Sequence, residues 1–120
     1  MQPEERDAAY LWDMRDAARD VLRFASGKSL EAYQKDRVLQ LAVERCVEII
    51  GEAARQISAA FKEAHPEIPW RLIIAQRNVL AHEYGEVKQD RMWSVAQNHI
   101  PILVAQLEPL LPSPPPQSEE

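Results

Sequence analysis

The chain is poor in the residues that staple, bend or strongly charge a small protein. A single cysteine, Cys46, occurs in 120 residues, which excludes an internal disulfide, and no Cys/His cluster suggests zinc. Three glycines leave no Gly-rich loop of the kind that cradles phosphates, so no nucleotide cofactor is expected. No apolar run approaches the roughly 18 residues that a membrane span needs. The opening MQPEERDAAY has acidic and polar residues where a signal peptide has a basic start and an apolar stretch. Neither span nor leader is expected, and a cytoplasmic protein fits. Positive charge is also scarce: 14 Lys and Arg stand against 19 Asp and Glu, a net charge of −5. A general nucleic-acid coat is basic, so tight, sequence-independent binding to duplex DNA is not expected. A small site for RNA needs only a local cluster of positive charge, which a symmetric dimer doubles.

What remains is an ordinary globular composition, 46% hydrophobic and 28% charged, in one domain's length. Periodicity gives four helical stretches and no convincing strand. The first runs from about Glu5 to Ala25, with Tyr10, Leu11, Met14, Ala18, Val21, Leu22 and Ala25 at three- and four-residue steps. Asp16 and Asp20 precede Arg19 and Arg23 by three residues, a spacing that supports pairs along a helix. Gly27 sits where a C-cap belongs. The second stretch runs from about Asp36, a suitable N-cap, to Ala64, after a short turn at Leu30–Gln34. Val38, Leu41, Ala42, Cys46, Ile49, Ile50, Ala53, Ile57 and Phe61 predict its core-facing stripe, widened by Leu39, with Arg45 the one charge in it. His65-Pro66 ends it. A third helix starts after Pro69, runs from Trp70 to about His82 or Tyr84, and stops at Gly85. The fourth spans about Asp90 to Leu111, and Pro101 should kink or divide it. The expected fold is an all-α, antiparallel four-helix bundle over residues 1–111, with a kinked last helix. The Pro-rich acidic segment 112–120 reads as a disordered tail.

The third helix carries the chemistry. With each residue advancing about 100°, Arg77 falls in the middle of an apolar cluster of Ile73, Ile74, Leu80, Ala81 and Tyr84. A centred arginine is costly unless it is paired or opens onto a cleft. Asn78 and His82, four apart, share a second face. Arg77 and His82 are five apart and flank one cleft rather than stack. Two such helices facing each other across a two-fold axis would gather two arginines, two asparagines and two histidines in one groove. That set suits phosphodiester cleavage. His82 can move protons near neutral pH, Arg77 can hold a phosphate and stabilise developing charge, and Asn78 can position a phosphate or ribose hydroxyl. With no metal-ligand cluster in the sequence, the ribose 2′-hydroxyl would attack, which restricts cleavage to RNA. Spacing alone leaves structural roles open: Arg77 paired with Glu48 or Glu52, His82 at the last carbonyls of its helix, Tyr84, Trp70 and Trp93 as packing aromatics.

The stretch from Ile68 to Leu103, with Arg77-Asn78-Val79-Leu80-Ala81-His82-Glu83-Tyr84, Val87, Trp93 and Ile100-Pro101, resembles the HepT-like family of the HEPN superfamily. Ile49-Ile50-Gly51-Glu52-Ala53-Ala54 matches its pattern as well, so the resemblance covers roughly Asp36 to Leu110. It implies a homodimeric helical bundle with metal-independent ribonuclease activity. It places Arg77 and His82 on the family's catalytic positions, Asn78 beside the arginine, and Tyr84 on the tyrosine of the Arg-x4-His-x-Tyr motif. In related toxins a minimal nucleotidyltransferase partner, the antitoxin, adds AMP to that tyrosine and silences the nuclease. Added phosphate brings negative charge and bulk beside a site for RNA phosphate. Gln76, where the family often has methionine, and Lys88, where an acidic residue is common, depart from the pattern at the rim. The alternative is a non-catalytic helical subunit that holds a nucleotidyltransferase and uses Arg77 and His82 only to bind.

Overall fold

In the computed structural model the backbone is described for residues 5–83 and 89–112 and the side chains for residues 5–76 and 89–112. The described residues form an all-α bundle without a strand. Its elements are α1 (Glu5–Ala25), α2 (Leu30–Lys35), α3 (Arg37–Gln56), α4 (Ala59–Ala64), α5 (Trp70–Glu83), α6 (Gln89–Ser94) and α7 (Ile100–Leu107). A π turn (Val95–His99) joins α6 to α7, and a 3-10 turn (Glu108–Leu110) follows.

Helix α1 buries the stripe that its periodicity predicts. Leu11, Met14, Ala18, Val21 and Ala25 are core residues, and Tyr10 and Leu22 pack at the edge. Glu5 and Asp7 in its first turn and Arg23 in its last complement the helix dipole. Gly27, at φ +75°, supplies the left-handed residue that lets the chain turn back. Ser29 then caps α2, its hydroxyl accepting from the Ala32 amide at 3.1 Å. Asp36 caps α3 in the expected way, accepting from the Leu39 amide at 3.0 Å. The expected Asp20–Arg23 pair forms at 2.8 Å. Arg19 instead approaches Glu108 at 3.8 Å, and Asp16 pairs with Arg15.

Two expectations for the second stretch are corrected. It is not one helix to Ala64. Helix α3 stops at Gln56, Ile57 is extended, and Ser58 begins α4. The cause lies in α1: Asp7, only 4% exposed, accepts from both the Ser58 amide at 2.9 Å and the Ser58 hydroxyl at 2.7 Å. The Ser58 hydroxyl in turn accepts from the Phe61 amide at 3.1 Å, which starts a new helix. The side of α3 facing the core is also rotated from the expected stripe. Leu39, Val43, Cys46, Val47, Ile50, Ala53 and Ala54 are buried, whereas Val38 and Leu41 face solvent. Arg45 is exposed as well. A helix with apolar residues on both sides buries the set that meets the larger surface, here the faces of α1 and α5.

At the C-terminal end, Pro101 divides the fourth stretch. It has no N–H, and its ring would press on the carbonyl four residues back. The chain widens there into one π turn, closed by the Ile100 amide donating to the Val95 carbonyl. Arg15 fastens this end to α1 through Glu108 at 3.1 Å. The one cysteine, Cys46, is a buried free thiol. Burial, and secondarily the charge of Asp20, push its pKa up, which makes it a packing residue rather than a nucleophile.

Candidate active site

Helix α5 begins in a tightly satisfied corner. Trp70 is buried and its indole N–H donates to the His65 carbonyl at 3.0 Å. Its ring meets Phe61 edge-on, with centroids 6.3 Å apart, and Phe61 in turn lies 4.4 Å from the His65 ring. Pro69 gives φ suited to entering a helix, and its carbonyl accepts from the Ile73 amide at 3.1 Å. One turn on, Ile73 is buried and shares the cavity wall with Val47 and Ile50 of α3. Arg71 and Ala75 lie on the exposed side. The direction of α5 is therefore fixed before the Arg77 segment is reached.

Arg77, Asn78 and His82 all fall on α5, which extends to Glu83. Their side chains lie outside the described residues, and so does the whole of Tyr84 together with Gly85. The backbone places the Arg-x4-His spacing on one continuous helix. Of the two carboxylates named as candidate partners of Arg77, Glu48 meets Arg45 at 3.1 Å, and Glu52 lies 4.0 Å from Arg55. Trp93 is half-buried, against Tyr33, with ring centroids 5.0 Å apart. His99 is exposed.

Gln89, the first residue of α6, donates to the Glu44 carboxylate of α3 at 2.7 Å, a short, charge-assisted bond. Beside it, Tyr33 is fully buried. Burial, then the charge of Glu44, push its phenol well above the usual tyrosine range, while Arg37 pulls it the other way. The Tyr33 hydroxyl and the Gln89 side-chain carbonyl are buried with no hydrogen-bond partner among the described residues. Sequence reasoning missed this seat of Tyr33, Glu44 and Gln89. Its residues lie on three separate elements, and only the fold brings them together.

On its other side α5 borders a cavity of about 430 Å³, lined chiefly by Leu72, Ile73, Gln76, His99 and Ile102. Among the described residues no three His, Cys, Asp or Glu side chains converge as a metal site would require. No helix among them is long and apolar enough to cross a membrane.

The family model described as "Ribonuclease HepT-like" matches residues 14–110. The chain belongs to this ribonuclease family. A protein of Thermococcus cleftensis named "Probable ribonuclease HepT" is 38% identical over 101 residues, covering 84% of this chain and 92% of the relative. A provisionally named RNase of Caldanaerobacter subterraneus is 34% identical over 102 residues, covering 85% of this chain and 91% of the relative. Another, of Methanocaldococcus jannaschii, is 31% identical over 100 residues, covering 83% and 92%. No solved structure gives a significant match.

Proposed function

We propose that this chain is a metal-independent endoribonuclease, the toxin of a toxin–antitoxin pair, acting as a homodimer in the cytoplasm. The observation that carries the reading is the family membership together with a helix α5 that spans Arg77, Asn78 and His82 on one continuous backbone. In this reading the 2′-oxygen of the RNA forms a bond to phosphorus as the bond to the 5′-oxygen breaks. One proton leaves the 2′-hydroxyl and one reaches the departing oxygen, giving a cyclic phosphate and a 5′-hydroxyl. His82 moves protons, Arg77 stabilises the charge that builds on the phosphoryl oxygens, and Asn78 orients the substrate. A two-fold pair supplies each group twice in one cleft.

Regulation follows from charge. A minimal nucleotidyltransferase partner transfers AMP to Tyr84. On a helix extended to that position, Tyr84 would lie seven residues beyond Arg77, roughly 10 Å along the axis. A phosphate attached there competes for the arginine and blocks the path of RNA.

The deciding experiment incubates purified protein with tRNA and mRNA in the presence of chelator and identifies the new ends. Cleavage with cyclic-phosphate ends is expected. Intact RNA that is cut only when a divalent metal is restored would contradict the mechanism. The regulatory half is read by intact mass after incubation with the partner and ATP. Wild type should gain AMP, and Tyr84→Phe should stay unmodified and active.

A further inference from the structure

Helix α5 and the C-terminal arm of the bundle leave a cleft between them. It is the cavity of about 430 Å³ described above, within the size range of small-ligand sites. Its floor belongs to the core, with Val47 and Ile50 of α3 and Ile73 of α5. At its mouth stand Leu72 on α5, 44% exposed, and Ile102 on α7, 59% exposed. Large apolar side chains left in water beside an apolar floor mark a binding site.

The polar groups along the cleft are mostly neutral. Gln76 is half-buried in the α5 wall, and its amide has no hydrogen bond among the described residues. The π turn Val95–His99 contributes Asn98 and His99 to the lining, both exposed. The Asn98 amide donates to the Ser94 hydroxyl at 3.2 Å, which leaves its carbonyl oxygen to accept. The walls are held before anything binds. The Gln106 amide donates to the Glu67 carbonyl at 2.8 Å and so ties α7 to the loop ahead of α5.

Charge gives the cleft a direction. Glu67, ahead of α5, lines it, and a carboxylate there repels phosphate. Gln76 lines it nearly two turns into the helix, and the next residue on α5 is Arg77, about 1.5 Å further along the axis. A nucleotide whose phosphate is held at Arg77 has its base within reach of the cleft. Apolar side chains suit the faces of a base. A Gln or Asn amide, with donor and acceptor side by side, suits its edge. Sequence-selective recognition of RNA commonly takes a base splayed out of a single strand in this way.

We infer that the cleft between α5 and α7 is a base subsite. It takes one splayed-out base of the RNA substrate, Gln76 and Asn98 read the edge of that base, and the strand is cut beside it. This rests on the ribonuclease reading above and names what that reading leaves open, the nucleotide at which the enzyme cuts.

Two measurements on the full chain test it, with circular dichroism to verify helicity. The first maps the ends produced from an RNA of mixed sequence in chelator. Wild type should favour one base at a fixed position beside the cut by about tenfold or more. Gln76→Met keeps the length of the side chain and removes the amide, and it should bring that ratio close to one. The second measures binding of a short RNA made uncleavable by 2′-O-methyl groups. Removing the base at the favoured position should weaken binding to wild type by about tenfold. The same removal should leave binding to Ile102→Trp, whose ring fills the cleft, unchanged. Cutting without a base preference, or a preference that survives in Gln76→Met, overturns the subsite and leaves the ribonuclease reading standing. So does an RNA that binds wild type equally well with and without that base. A loss of dimer mass in Ile102→Trp with base preference intact would assign the cleft to a second copy of the chain and overturn the subsite as well. A wild-type protein that neither cuts nor binds RNA overturns both readings.

Discussion

The two ends of α3 are built on different terms. At its C-terminal end two buried polar groups, the Asp7 carboxylate and the Trp70 indole, are held by hydrogen bonds. Asp7 takes two hydrogen bonds from Ser58, and the Trp70 indole finds the His65 carbonyl. At its N-terminal end the Tyr33 hydroxyl and the Gln89 side-chain carbonyl are buried without partners among the described residues, and Glu44 holds Gln89. Burying an unpaired polar atom costs roughly 1–3 kcal/mol. One end of the molecule thus fixes the start of α5, and the other holds the start of α6.

The contrast is broken most severely by removing chemistry without touching the framework. Arg77→Ala should lower RNA cleavage by about a hundredfold or more while thermal melting stays close to wild type. Removing framework should do the opposite. Trp70→Ala should cost about 3–5 kcal/mol of stability, read as a lower midpoint in urea, with activity lost only in step with the folded fraction.

How far these regions were visible in sequence differs for a physical reason. The α1 stripe, the Asp36 cap, the Gly27 turn and the break at Pro101 depend on residues within one or two turns of one another, and all four appear as the sequence implies. The end of α3 does not. Nothing local to Gln56-Ile57-Ser58 stops a helix firmly, and the break is set by Asp7, 51 residues away in sequence. The outward Val38 and Leu41 were misassigned for a related reason. Periodicity shows that a helix has an apolar face, but α3 has two, and only its neighbours decide which is buried. For the candidate site, spacing alone left Arg77 and His82 with structural alternatives. The surrounding motif pointed to the family, and the family model's match to residues 14–110 then showed it.

Smaller substitutions sharpen the comparison. Asp7→Ala leaves the Ser58 amide and hydroxyl without their acceptor and should cost about 1–3 kcal/mol, measured by chemical denaturation. Tyr33→Phe removes a buried hydroxyl that has no partner among the described residues. It should be neutral or stabilising, within about 1 kcal/mol. A loss at Tyr33 as large as at Asp7 would mean that its hydroxyl is bonded in solution and that the two ends are alike.

The central claim is that the polar groups of α5 cut RNA. It is met most directly by comparing wild type with His82→Ala on the same RNA, in chelator, at matched folded concentration. The account predicts cleavage by wild type and a loss of about a hundredfold or more in the variant, with equal helicity in both. Cleavage by His82→Ala at the wild-type rate would contradict it.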